Sequence, residues 1–105
     1  MIVAEFLKKN GNITGFKVSG HAGYDDIGKD IVCASVSSAV MMTANLITEI
    51  FGYKADVSAY GDTVALKTDF PEDEILSKLY SGLQMQIKEI SVEFNGTIKL
   101  KFTEV

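Results

Sequence analysis

The first eight residues, MIVAEFLK, alternate: Ile2, Ala4 and Phe6 fall on one side of an extended chain, and Val3, Glu5 and Leu7 on the other. That period of two predicts a strand. Asn10-Gly11, within KNGN at 9–12, predicts a tight hairpin turn, and ITGFKVSG at 13–20 the returning strand. A glycine-rich loop spans 20–30. The apolar stretch DIVCASVSSAVMMTANLITEIFG then predicts a helix, with Asp30 as N-cap and Gly52 as its C-terminal stop. It is apolar on nearly every side, so one side is expected to pack on the sheet and another on a second helix or a partner subunit. Ser35, Ser37, Ser38, Thr43, Asn45, Thr48 and Glu49 interrupt it and disfavour a membrane span.

ADVSAY (55–60) and TVALKTDF (63–70) predict two further strands joined by Gly61-Asp62. Pro71 is expected to open a second helix, with Glu72, Asp73 and Glu74 in its first turn, where the helix dipole favours negative charge. Ile75, Leu79, Leu83, Ile87, Ile90 and Phe94 recur at steps of three and four, carrying this helix to about Phe94, where Asn95-Gly96 ends it. An alternative makes ISVEF and TIKLKF a hairpin about Asn95-Gly96. In TIKLKFTEV, Ile98, Leu100 and Phe102 share one face of a last strand.

The resulting order is β-β-α-β-β-α-β. The expected fold class is α+β, a two-layer sandwich of a mostly antiparallel or mixed sheet with two helices on one face. With 105 residues and neither repeat nor linker, residues 1–105 read as one domain. A hydrophobic content of 47% is high for so small a chain and suggests extra apolar surface, such as a dimer contact. Ten basic against fourteen acidic residues give a net charge of −4, which argues against a nucleic-acid partner and is weakly compatible with a basic peptide. Cys33 is the one cysteine, so no intramolecular disulfide is expected, and the first residues show no secretory signal. The expectation is a cytoplasmic protein without a membrane partner. One Cys and one His cannot assemble a soft four-ligand zinc site, and no metal or other cofactor is expected.

The chemistry concentrates in SGHAGYDDIGKDIVCASVSS, residues 19–38, which holds both His21 and Cys33. If Asp30 caps the helix, Cys33 lies in its first turn, where free N–H groups and the dipole favour a thiolate. Backbone N–H groups at Cys33 and Ala34 would then be available to an oxyanion. The glycines of the loop would let His21 reach the sulfur, the minimal equipment for thiol nucleophilic catalysis. Against this, lone cysteines usually just pack, and a lone histidine is often only a loop residue. The spacing of Gly20, Gly23 and Gly28 matches neither the dinucleotide fingerprint nor the P-loop. Met41, Met42 and Phe51 would line an apolar groove or a dimer seam, with core packing the better expectation. Tyr24, Asp25, Asp26 and Lys29 read as a solvated loop surface with no catalytic assignment.

Gly20-His21-Ala22, then Gly28-x-Asp30-Ile31-Val32-Cys33-Ala34 and Ser37, resembles the signature of the ribosomal-processing cysteine proteases. The match is dense over residues 20–37, and chain length, strand order and the position of the long apolar helix fit as well. Ser35 stands where alanine is more usual. The resemblance implies a homodimeric endopeptidase. Its substrate would be the N-terminal extension of large-subunit ribosomal protein twenty-seven, cut after paired aromatic residues in a short hydrophobic-aromatic motif. It implies Cys33 as nucleophile and His21 as general base, a dyad without a third member, with Asp30 and Ser37 in support. Asp30 also reads as a cap alone, and Ser37 as a back-bond to its own helix. Gly20, Gly23 and Gly28 read as hinges of an opening loop or as plain turn geometry. The competing reading is a non-catalytic ribosome-associated binding module with a buried, inert Cys33.

Overall fold

The computed structural model describes residues 1–20 and 27–105, with side chains from residue 31 onward in the second stretch. The strands are β1 (Ile2–Lys9), β2 (Asn12–Ser19), β3 (Asp56–Tyr60), β4 (Thr63–Lys67) and β5 (Ile98–Glu104); the helices are α1 (Ile27–Asn45) and α2 (Glu74–Glu93). They follow in the expected order and form one five-stranded mixed sheet, β3-β4-β2-β1-β5. The β1–β2, β2–β4 and β3–β4 pairs are antiparallel, and β5 joins β1 in parallel.

Register explains which side of the sheet is covered. Ala4 pairs with Val18 and Phe6 with Phe16 across β1–β2, and Phe16 pairs with Leu66 across β2–β4. Ile98, Leu100 and Phe102 pair with Ile2, Ala4 and Phe6. Paired residues share a face, so the alternation in the sequence becomes one apolar surface. Both helices pack on it, with Val32, Val36, Val40 and Ile47 from the first helical segment and Leu76, Tyr80, Leu83, Ile87 and Ile90 from α2 completing the core. On the opposite face Glu5 stands between Lys17 and Lys101, and accepts a 2.6 Å hydrogen bond from the Thr103 hydroxyl.

Both hairpins turn as their residues dictate. Asn10 and Gly11 have φ of 55° and 82°, a mirror-image turn suited to the twist of β1–β2. Gly61, at φ 61°, opens the two-residue turn between β3 and β4.

Several boundaries differ from expectation. α1 begins at Ile27, so Asp30 is not the N-cap: three helical residues precede it. At the other end α1 gives way to one wide turn, in which the Phe51 N–H donates to the Leu46 carbonyl, before Gly52 at φ 71° stops it. α2 does not open at Pro71. Pro71 occupies the second place of a turn closed by the Asp73 N–H on the Phe70 carbonyl at 3.1 Å, a position its fixed φ favours. Asp73 then caps α2, its carboxylate accepting from the Leu76 N–H at 3.0 Å and from the Tyr53 hydroxyl at 2.8 Å. The inward row of α2 starts at Leu76 and Tyr80, whereas Ile75 is exposed. The alternative hairpin about Asn95-Gly96 is not formed: residues 90–93 are helical, and Gly96 turns the chain at φ 83°. Met41, Met42 and Phe51 are exposed rather than in the core, because Val36, Val40 and Thr43 occupy the inward positions. The stretch Ile31–Ile50 is long and apolar enough to cross a membrane, yet its Val32, Val36, Val40 and Ile47 row packs on the sheet.

α2 is pinned to the sheet by polar contacts inside the core. The Tyr80 hydroxyl donates to the Thr14 carbonyl at 3.0 Å and lies 2.8 Å from the Thr68 hydroxyl. Burial pushes the Tyr80 phenol up to about 12 from 10.0. The folded state therefore favours the neutral phenol, and this contribution is present below pH 10.0 and lost as pH rises towards about 12. Tyr80→Phe is expected to cost on the order of 1 kcal/mol at neutral pH and to flatten this alkaline loss, measured by denaturant titration across that window. Asp73 titrates with the opposite sign. The Leu76 N–H, followed by the Tyr53 hydroxyl, holds its carboxyl below the usual 3.8. Its stabilisation is present above 3.8 and lost as pH falls through the lower folded value. Asp73→Ala is expected to lower the melting temperature at neutral pH, and the gap from wild type should narrow in strong acid, as thermal melts at the two pH values would show.

Candidate active site

α1 is set down on the sheet by Val32, Val36 and Val40, which recur every four residues and are buried. Their neighbours Cys33 and Ser37 are themselves four apart and therefore share the adjoining face. Both line a cleft of about 140 Å³ between α1 and the sheet. Ile2, Val18 and Val64 floor it from β1, β2 and β4; Met41 borders it on α1, and Asp62 and Gly20 at the strand ends. Cys33 is partly buried and Ser37 exposed. Cys33 thus packs partly on the core and partly borders the cleft.

Gly20 is the last described residue before His21, and it is shaped by contact. Its φ is +89°, and an added Cβ would collide with the Met1 carbonyl oxygen. The chain therefore leaves β2 at the cleft rim through a conformation that side chains resist. His21 and Gly23 lie outside the described residues, as do Tyr24, Asp25 and Asp26; Gly28, Lys29 and Asp30 are described only as helical backbone.

The position of Cys33 corrects part of its expected chemistry. It is the seventh residue of α1 rather than part of the first turn. The helix dipole acts mainly within the first turn. The N–H groups of Cys33 and Ala34 also fall within the α-helical ladder, directed at the carbonyls of Lys29 and Asp30. They are committed there, so they do not form an oxyanion hole. Ala34 is exposed on the groove between α1 and α2 rather than in the cleft. Among the described residues, no group of three His, Cys, Asp or Glu side chains is placed to hold a metal.

Val18, Val64 and Asp62 line the cleft from outside the motif at residues 20–37. The strand alternation carries the signal for the two valines, since each lies on the face that Ile2 occupies. Asp62 carries no such signal, because its place depends on β4 pairing with β2 rather than with β5.

Residues 1–99 match the family model described as cysteine protease Prp. The ribosomal processing cysteine protease Prp of Bacillus subtilis (strain 168) is 30% identical over 94 residues, covering 84% of each chain. That of Staphylococcus aureus (strain Mu50 / ATCC 700699) is 27% identical over 100 residues, covering 91% of this chain and 92% of its own. The fold is shared with a ribosomal processing protease Prp from S. aureus in complex with a substrate peptide, with a TM-score of 0.88, 21% identity, and coverage of 98% of this chain and 100% of that one. The same protease in complex with a covalently linked product peptide gives 0.87 at 22% identity, with the same coverage.

The contact at Gly20 yields a test. Gly20→Ala forces both a positive φ and a backbone collision, and is expected to destabilise the fold by roughly 1–3 kcal/mol. Gly11→Ala, at φ +82° but with open space around it, should cost less. Chemical denaturation of the two variants side by side checks the ordering.

Proposed function

Because this chain belongs to the cysteine protease Prp family, we propose that it is the endopeptidase that trims the N-terminal extension of large-subunit ribosomal protein twenty-seven, using Cys33 and His21. The observation that carries this reading is the cleft: Cys33 and Ser37 open on it from α1, and Gly20 at its rim leads directly into His21. The names and peptide complexes of the relatives point to the same class of substrate.

In this mechanism His21 accepts the Cys33 thiol proton as the sulfur attacks the carbonyl carbon of the scissile peptide. The tetrahedral intermediate collapses as His21 returns that proton to the leaving amine, which departs as the mature ribosomal-protein chain. The extension remains as a thioester on Cys33. Water, deprotonated by His21, attacks the thioester; the extension leaves as a free carboxylic acid and the thiol is restored. Activation of the sulfur falls to His21, since Cys33 lies beyond the first turn of α1. Ser37, exposed on the same cleft one turn from Cys33, offers a hydroxyl donor to the substrate backbone. Gly20 and Gly23 act as hinges of the segment carrying His21, Gly28 is no loop hinge because it lies within α1, and Asp30 supports the site from the first turns of that helix. The protein works in this way as a cytoplasmic homodimer, a reading supported by the family likeness and by the exposed apolar residues of α1.

The test is a peptide spanning the extension and its paired aromatic residues, incubated with wild type, Cys33→Ala and His21→Ala, with products read by mass spectrometry. One cut after the aromatic pair is expected from wild type, none from Cys33→Ala, and a rate lower by at least about 100-fold from His21→Ala. Equal cutting by Cys33→Ala would overturn the assignment of the nucleophile. An uncut peptide with wild type would overturn the substrate.

A further inference from the structure

β3 is an edge strand. All five of its residues are exposed, and among the described residues it pairs only with β4 and nothing covers its free side. Natural sheets commonly shield such edges with lysine, proline, a bulge or a covering segment. The other edge follows that rule, since β5 carries exposed Lys99 and Lys101. β3 reads DVSAY, with one charge, Asp56, at the end away from the β3–β4 turn.

The register identifies the groups left open. The turn at Gly61-Asp62 is closed by Tyr60 opposite Thr63, and Ser58 and Asp56 follow opposite Ala65 and Lys67. In a two-residue hairpin the closing pair is hydrogen-bonded, and bonded pairs then alternate. The pairs Val57↔Leu66 and Ala59↔Val64 are thus the non-bonded ones. The N–H and C=O groups of Val57 and Ala59 point away from β4, out of the sheet edge. Their side chains lie on the helix-covered face with Leu66 and Val64, yet Val57 is 53% exposed because the helices stop short of this edge.

The same hairpin borders the cleft. Asp62 and Val64 line it together with Cys33, and Met41, 57% exposed, faces them from α1. We propose that the substrate peptide docks as an added strand on β3, its backbone paired with Val57 and Ala59, which brings the chain to Cys33 at the Tyr60–Asp62 end. This rests on the protease reading above and extends it to how the substrate is held. Substrate side chains opposite Val57 and Ala59 then point to the same face as those residues, over the uncovered part of the helix-covered face beside Val57, and alternate ones point to the opposite face. Apolar residues are favoured at every second position.

Val57→Pro and Ala59→Pro test the proposal. Each removes an outward N–H that the β3–β4 ladder does not use, and proline is tolerated on an edge strand in that orientation. With the aromatic-pair peptide, both variants are expected to melt close to wild type but to lose about tenfold in kcat/KM. In the Cys33→Ala background, the same peptide should slow hydrogen exchange at the Val57 and Ala59 amides. Should either proline variant misfold, N-methylation of the peptide at alternate residues of its docking segment replaces it, and a tenfold loss is again expected. Wild-type cleavage left unchanged by folded proline variants and by N-methylation would overturn edge docking while leaving the protease intact. No cleavage by wild type and no binding by Cys33→Ala would overturn the substrate assignment on which this proposal rests. Loss of a dimer in sedimentation with kcat/KM preserved would assign the edge to a second copy of the chain and also overturn the proposal.

Discussion

The contact on which the site depends is the valine seam of α1. Val32, Val36 and Val40 are buried against the sheet, and burial of each contributes on the order of 2 kcal/mol. The larger consequence is rotational. With a valine inward every four residues, the helix has one favourable angle about its axis, and Cys33 and Ser37 are held beside the seam, facing the cleft. Turning the helix to bury the thiol would expose the valines. The placement of the proposed nucleophile at the cleft thus follows from packing, and the wholly apolar look of this segment reflects a buried row flanked by exposed Met41 and Met42.

The second constraint is the uneven cover on the sheet. Two helices coat one face over β1, β2 and β4, while the other face carries Lys17, Glu5 and Lys101 in a cross-strand row of alternating charge. Cover runs out towards β3, leaving both the inner side chain of Val57 and the outer backbone of that strand accessible. The cleft lies between the covered centre and this open edge, so one side of it is packed and rigidly placed and the other is free to receive a chain.

Polar anchoring is concentrated around the start of α2. There Tyr80 reaches the Thr14 carbonyl, Asp73 caps α2 and accepts from Tyr53, and Asn12 donates to the Pro71 carbonyl at 2.8 Å. These contacts involve residues distinct from those that line the Cys33 cleft. Hydrogen bonds that fix α2 to the sheet therefore place no demand on the chemistry of the thiol, and changes at Tyr80 or Asp73 bear on stability rather than on the cleft.

Local pattern determined much of this protein. Alternation in β1, β2 and β5 gave the faces of the sheet, because a strand's side chains have a strict period of two. Asn10-Gly11 and Gly61 fixed the hairpins, because their positive φ suits glycine and asparagine. The motif around His21 and Cys33 pointed to the chemistry. Tertiary structure decided the rest. The start of α1 at Ile27 was hidden by the glycines and charges before Asp30, which read locally as a loop. Asp73 rather than Pro71 begins α2 because a turn from Phe70 and a hydroxyl from Tyr53, twenty residues away, converge there. The Cys33 cleft needs β4 to pair with β2 and β5 to pair in parallel with β1, so that Val64 and Asp62 come to face α1. Such long-range pairing depends on which apolar faces can be buried together, and no local window of the sequence contains it.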